Sequence, residues 1–256
     1  MKRTIITLSV LAALLVSFSL APLTAAPKEH DLKKIVKKID DLYRSNSSVT
    51  TMEMEIITPH WKRTLKMNGW SMGMEHTFIR ILSPKKERGI ATLKKGTEMW
   101  NFLPKTDKVM KIPPSMMMGS WMGSDFTNDD LVKEFTFIQD YQYQLTQVKN
   151  PEPGQVYVKC TPKEGLPIVW GHIIIASRDT DYMPLWQKYY DEKGKLMRQM
   201  TFKDVKTFGK KSIPSIMELV PLNKEGHKTV VRYLEAEFDG KVDKNTFSLR
   251  NLRTRL

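Results

Sequence analysis

Residues 110–131 read Met-Lys-Ile-Pro-Pro-Ser-Met-Met-Met-Gly-Ser-Trp-Met-Gly-Ser-Asp-Phe-Thr-Asn-Asp-Asp-Leu, and the fold turns on how this stretch is read. Five of the sixteen methionines (Met110, Met116, Met117, Met118, Met122) fall here, beside Trp121 and Phe126. Methionine is unbranched and polarizable, so a cluster of it makes a deformable apolar surface that accepts differently shaped partners. Pro113, Pro114, Gly119 and Gly123 interrupt regular structure in the same stretch, which excludes a plain core helix or strand. An apolar, irregular segment between two strand-rich halves predicts a lid or a lipid-facing loop. A core plug under a loop is the bland reading of the same residues.

On its N-terminal side the period is two. Met52, Met54 and Ile56 alternate with Glu53 and Glu55, and Trp61, Leu65 and Met67 alternate with polar residues. Further strands are expected over 75–82, 89–93, 98–103 and 109–112, with Pro59, Gly69, Gly73, Pro84, Gly96 and Pro104 at short intervals between them. On its C-terminal side a short helix is expected over 129–135 with Thr127 as N-cap, Asp129 and Asp130 favouring its dipole. A second strand series follows from Tyr141, including a nearly continuous apolar run over 168–177 that reads as a strand buried on both faces. Two hairpins close the chain, around 191–194 and 223–226. Before the first strand, Leu32, Ile35, Val36, Ile39 and Leu42 recur at helical spacing with Lys33, Lys34, Lys37 and Lys38 opposite. They predict a helix over 31–43, capped by Asp31 and packed on a sheet. Many short strands and one such helix argue for an antiparallel meander that curls into a sandwich or barrel.

The first residues read as a secretory leader: Lys2 and Arg3, an apolar run from Ile5 to Leu20, and small residues around Ala25, after which cleavage is expected. The run is about 16 residues, short of the roughly 20 that span a bilayer, so no permanent membrane anchor is expected. Residues 1–25 are thus assigned to a signal peptide and 26–256 to a single domain. Cys160 is the only cysteine, so no disulfide forms within the chain and the core must supply stability. The formal net charge is +13, lowered by two when the leader is lost. It is spread over small lysine groups, as on a solvated surface; attraction to anionic membranes is the functional alternative. Nucleic acid is not expected as a partner, because an exported chain without a binding motif offers no basis for it.

No chemistry-bearing motif stands out. The histidines (His30, His60, His76, His172, His227) share no metal-ligand spacing, and His-Glu-x-x-His, Cys-x-x-Cys and Gly-x-Ser-x-Gly are missing. Asp125, Asp129 and Asp130 fail the EF-hand pattern, with Asp130 where glycine is required, and helix capping is the simpler role. No enzyme activity, cofactor or metal is expected.

The segment Gly119–Thr127 followed by Asp129-Asp130-Leu131, with Trp100-Asn101-Phe102-Leu103-Pro104, Asp181-Tyr182-Met183-Pro184 and the terminal Asp243-x-x-x-x-Phe247-Ser248, resembles the periplasmic outer-membrane lipoprotein-sorting (LolA-like) family over nearly the whole mature chain. The resemblance implies an unclosed, strongly curved antiparallel β-barrel with helices covering an apolar concave face that holds acyl chains. It implies a soluble periplasmic carrier of lipid or of lipoprotein acyl chains, working with an inner-membrane transporter. An adaptor or sensor binding an envelope membrane protein is the alternative. The concave face is expected to draw on Trp61, Met67, Trp70, Phe78, Trp100 and Phe102, each of which also suits a core. Its cover is expected to be Met116, Met117, Met118, Trp121 and Met122.

Overall fold

The computed structural model describes residues 31–42, 45–132, 136–166 and 168–254; the expected signal peptide over 1–25 and Tyr43 of the expected helix lie outside the described residues. Helix α1 (Leu32–Asp41) precedes six strands, β1 (Ser47–Ile57), β2 (Lys62–Met72), β3 (His76–Ser83), β4 (Ala91–Lys95), β5 (Glu98–Leu103) and β6 (Lys108–Lys111). A 3-10 turn (Pro114–Met116) and two short helices, α2 (Asn128–Val132) and α3 (Phe137–Asp140), then lead into the second series. That series is β7 (Tyr141–Leu145), β8 (Gln155–Pro162), β9 (His172–Arg178), β10 (Pro184–Tyr190), β11 (Leu196–Phe208), β12 (Lys211–Pro221) and β13 (Lys228–Phe238), followed by a 3-10 turn (Lys244–Phe247) and α4 (Leu249–Leu252).

All thirteen strands form one antiparallel sheet in the order β6-β5-β4-β3-β2-β1-β13-β12-β11-β10-β9-β8-β7. The first meander runs outward from β1 to one edge. The second starts at the opposite edge and returns to lay β13 beside β1, with Met54 opposite Val231 and Met52 opposite Tyr233. The two edges, β6 and β7, do not pair, so the barrel is unclosed. The chain between them has to cross one face of the sheet, and it is the methionine-rich segment that does so.

That face is curled. Trp121, Asp125 and Asp130 bond Thr92 on β4, Thr229 on β13 and Arg198 on β11. β4 and β11 stand six strand positions apart, roughly 29 Å in a flat sheet. The segment folds back on itself, with Ser120 bridged to Thr127, and is far too compact to reach that distance. The sheet wraps around it instead.

Alternation decides which side chains face the segment. Met54, Leu65, Met67, Ile79 and Ile81 pack with Met99, Trp121 and Val231 on the concave side. At the other end α1 lays Ile35, Val36 and Ile39 against Val158, Cys160, Ile173 and Tyr189. Burial pushes the Cys160 thiol up to about 12, so it serves as a small apolar core residue. The intervening side chains of β3–β5, Phe78, Leu93 and Phe102, point the opposite way and are covered by Phe247 and Leu252 from the C-terminus. Arg80 fastens this convex cover by donating to the Asn251 carbonyl at 2.6 Å and to that of Thr254.

Helix α1 begins as expected, Asp31 Oδ1 accepting from the Lys34 N–H at 3.0 Å. Its buried Asp40 accepts from the N–H groups of Phe137 and Ile138, both at 2.9 Å, docking α1 onto the first turn of α3. Asp40→Ala removes two charge-assisted bonds and is expected to cost about 1.5–3 kcal/mol, measurable as a lower urea midpoint at unchanged m-value. The apolar run over 168–177 departs from its expectation. Its strand starts only at His172, and Ile174 is partly exposed. Gly171 approaches the Asp191 carbonyl so closely that a Cβ there would lie 2.3 Å from it, and Trp170 turns away to meet Arg198.

Candidate functional site

The cover is built by its own hydrogen bonds. Trp121 N–H donates to the Phe126 carbonyl at 2.8 Å, Asn128 N–H to Gly119 at 2.9 Å and Asp129 N–H to Met117 at 2.7 Å. At its tip Ser124 N–H reaches the Trp121 carbonyl at 2.9 Å across Met122 (φ 52) and Gly123 (φ 75). Two consecutive left-handed residues make this a type I′ turn, which explains Gly123. The next turn is a capping box. The Thr127 hydroxyl accepts from Asp130 N–H at 3.1 Å while Asp130 Oδ2 accepts from Thr127 N–H at 2.8 Å. The helix that follows spans Asn128–Val132; residues 133–135 of the expected helix lie outside the described residues.

Four attachments hold the cover on the sheet. Trp121, 2% exposed, donates its indole N–H to Thr92 Oγ1 at 3.1 Å, and Thr92 donates onward to Asn101 at 2.7 Å. Arg63 on β2 donates to the Met122 carbonyl and pairs with Glu87 at 3.3 Å. The Asp125 carboxylate accepts from the Thr229 hydroxyl at 2.7 Å and lies 3.5 Å from His227 Nδ1. Asp130 receives both terminal nitrogens of Arg198, at 2.7 and 2.8 Å.

Between cover and sheet lies a cavity of about 380 Å³, at the lower end of the roughly 300–1,000 Å³ usual for ligand pockets. Register gives it a gradient along the strands. Ser48, Ser71 and Thr77 form one cross-strand row, Thr50, Gly69 and Ile79 the next, and Met52 and Met67 the one beyond. Met54, Met217 and Val231 complete the apolar floor, with Trp121, Phe126 and Leu131 as roof. Gly69 is needed here. A Cβ would lie 2.8 Å from Thr50 Oγ1 and 3.0 Å from Met52 Cε. The chamber is therefore polar at one end and lined by flexible thioethers at the other.

A second cavity of about 280 Å³ adjoins it under α3, lined by Ile168, Trp170, Ile173, Tyr189 and Arg198; Phe126, Asp130 and Leu131 border both. Arg198 sits in a corner of two rings. Trp170 and Tyr189 meet at 60° with centroids 5.2 Å apart, each 4.4 Å from the guanidinium carbon. Burial opposes the charged form of Asp130, but Arg198 and Thr127 more than offset this and hold its carboxyl below the usual carboxylate range. Burial pushes the Tyr189 phenol up to about 12, leaving it a neutral donor to Gln187 at 2.7 Å.

The eleven residues singled out from sequence are not brought to one place. Met67 and Trp121 line the larger cavity. Trp70 borders it, but its ring packs against Phe78 with centroids 5.6 Å apart. Phe78, Trp100 and Phe102 belong to the convex side. Trp61 is exposed beside Arg63. Met117 and Met122 pack on the concave core, whereas Met116 and Met118 are 56% and 50% exposed. Met52, Met54, Met217 and the Asp130–Arg198 pair were missed. A signal for the arginine exists, because Leu196, Arg198, Met200 and Phe202 occupy alternate positions and place one cation in an apolar row.

A family model described as "-like: Uncharacterized protein" matches residues 73–254. Three solved structures share the architecture. A DUF1329 family protein from Desulfovibrio piger is 21% identical, over 85% of this chain and 96% of its own, with a TM-score of 0.75. A domain described as an outer membrane lipoprotein-sorting protein from Vibrio parahaemolyticus is 21% identical, over 87% and 99%, at 0.73. A LolA superfamily protein from Nitrosomonas europaea is 18% identical, over 87% and 100%, at 0.71. No curated protein matches the chain.

Proposed function

The chain belongs to the family matched over residues 73–254, a LolA-like family by fold, and on that premise we propose that it is a soluble periplasmic carrier of lipid or of lipoprotein acyl chains, acting without covalent chemistry. The observation that carries this reading is the methionine-lined cavity with its polar end and its pinned apolar roof. A carrier in water must hide acyl chains, each buried methylene contributing about 0.8 kcal/mol, and must release them again. Thioether side chains adapt to a chain without one fixed geometry. A roof that lies across the sheet without contributing a strand to it can be detached with the sheet's own hydrogen bonds intact. Among the described residues no helix is long and apolar enough to cross a membrane. The lipid contacts in this reading are Met52, Met54, Met67, Met217, Trp121 and Phe126, all of which line the cavity.

Native mass spectrometry after gentle purification tests the reading. Co-purified or added lipid should be retained, and a chain that stays empty with every lipid class would reject it. Val231→Phe extends a buried floor residue into the cavity. It is expected to keep the melting temperature within a few degrees while lowering lipid occupancy several-fold.

The exposed Met116 and Met118 favour a second reading, an adaptor that presents this surface to an envelope membrane protein. Crosslinking in cells separates the two, since an adaptor yields one dominant protein partner and a carrier yields lipid.

A further inference from the structure

Of the described residues lining either cavity, Arg198 alone is basic. Its side chain is 9% exposed, and a cation so placed needs an anionic partner as well as the rings that flank it. The rings of Trp170 and Tyr189 fix the guanidinium in a corner, and its two terminal nitrogens are aimed together at one carboxylate. That carboxylate belongs to Asp130, which sits on the cover and on the border between the two cavities. The sheet thus provides a guanidinium whose two terminal nitrogens donate to one bidentate anion, and the cover provides the anion that fills it. By contrast the row of Ser48, Ser71 and Thr77 carries no charge and gives no basis for selecting an anion.

We infer that Arg198 is the head-group seat for an anionic amphiphile, a carboxylate or phosphate attached to an acyl chain, and that Asp130 occupies this seat until cargo displaces it. The proposal rests on the carrier reading and adds a substrate class to it. When the cargo anion takes both guanidinium nitrogens, Asp130 loses its partner, the cover is released on that side, and the two cavities join beneath it. Bidentate pairing suits either anion, because both present two oxygens to the planar fork. Cargo binding and cover release are then one exchange of partners at one guanidinium.

The test compares palmitate, hexadecyl phosphate and hexadecanol, which share a chain length and differ in head group, in titrations of the purified protein near neutral pH. The wild type should bind both anions at least tenfold more tightly than the alcohol. Asp130→Asn removes the competing carboxylate and should widen that ratio. Palmitate should also raise the melting temperature of this variant by more than it raises that of the wild type. Asp130→Asn with Arg198→Gln leaves a neutral pair in the same place, so the variant has no unpaired buried charge. It should bind all three ligands alike, at about the affinity of the wild type for the alcohol. Acetate and inorganic phosphate alone should not compete at the palmitate concentration, and effective competition by either would overturn the assignment to an amphiphile. Equal binding of anions and alcohol by the wild type and by Asp130→Asn would overturn the head-group seat while leaving the carrier reading standing. Binding of none of the three would overturn both.

Discussion

Asp130→Ala is expected to destabilise the protein by about 3–5 kcal/mol, because it leaves the Arg198 guanidinium buried without its carboxylate. The size follows from burial: the side chains of Arg198 and Asp130 are 9% and 21% exposed, so water cannot replace the lost partner cheaply. The same substitution removes the acceptor for Thr127 N–H and opens the capping box. Asp130→Leu with Arg198→Met should recover much of the loss, since an apolar pair of similar volume often replaces a buried ion pair at little cost. A double-mutant cycle in urea checks both statements; single and double variants of equal stability would show that the pair does not hold the cover. Acid gives a second readout. The Asp130 carboxyl lies below its ordinary value of 3.8 in the folded protein. Its contribution is therefore fully present above that value and is lost as pH falls through the lowered folded pKa. Wild type should lose this increment in acid, and the apolar double variant should not.

Trp121→Ala should cost about 3–5 kcal/mol. Trp121 is among the largest fully buried side chains and joins the cover to the concave core while its N–H reaches Thr92. Truncation leaves a void beneath the roof, and the packed surroundings close it only in part. Trp121→Phe keeps most of the apolar contact and loses the hydrogen bond, so it should fall between wild type and alanine. Melting curves on the three proteins decide the matter. A small shift for alanine would mean that the roof is held by its polar attachments alone.

Trp121 and Met116 were grouped as one apolar cover from their proximity in sequence, yet one is buried and the other exposed. The Ser120–Thr127 bridge folds the tip with Trp121 back under the segment, Met117 packs inward beside it, and Met116 and Met118 stay exposed. Similarly, Phe78 and Ile79 are both apolar and both buried. In β3 each face of the sheet is covered, so alternation no longer marks which residues meet the cavity. Arg198 and Asp130 are 68 residues apart, and no local pattern joins them.

What the sequence determined alone is what depends on neighbours along the chain. Periods of 2 and 3.6 gave the strands and α1, glycines and prolines gave the turns between them, and Asp31 and Thr127 gave their caps. These are short-range effects of sterics, dihedral preference and local hydrogen bonds. The tertiary structure decided what depends on contacts between distant segments: β13 beside β1, the unclosed edges, the C-terminal cover on the convex side, and the methionines that face the cavity. The physical reason is that a strand's two faces are equivalent until something packs against one of them. Only when the segment between β6 and β7 crosses the sheet does one side become a chamber, and only then does Arg198 acquire the partner that allows it to be buried there.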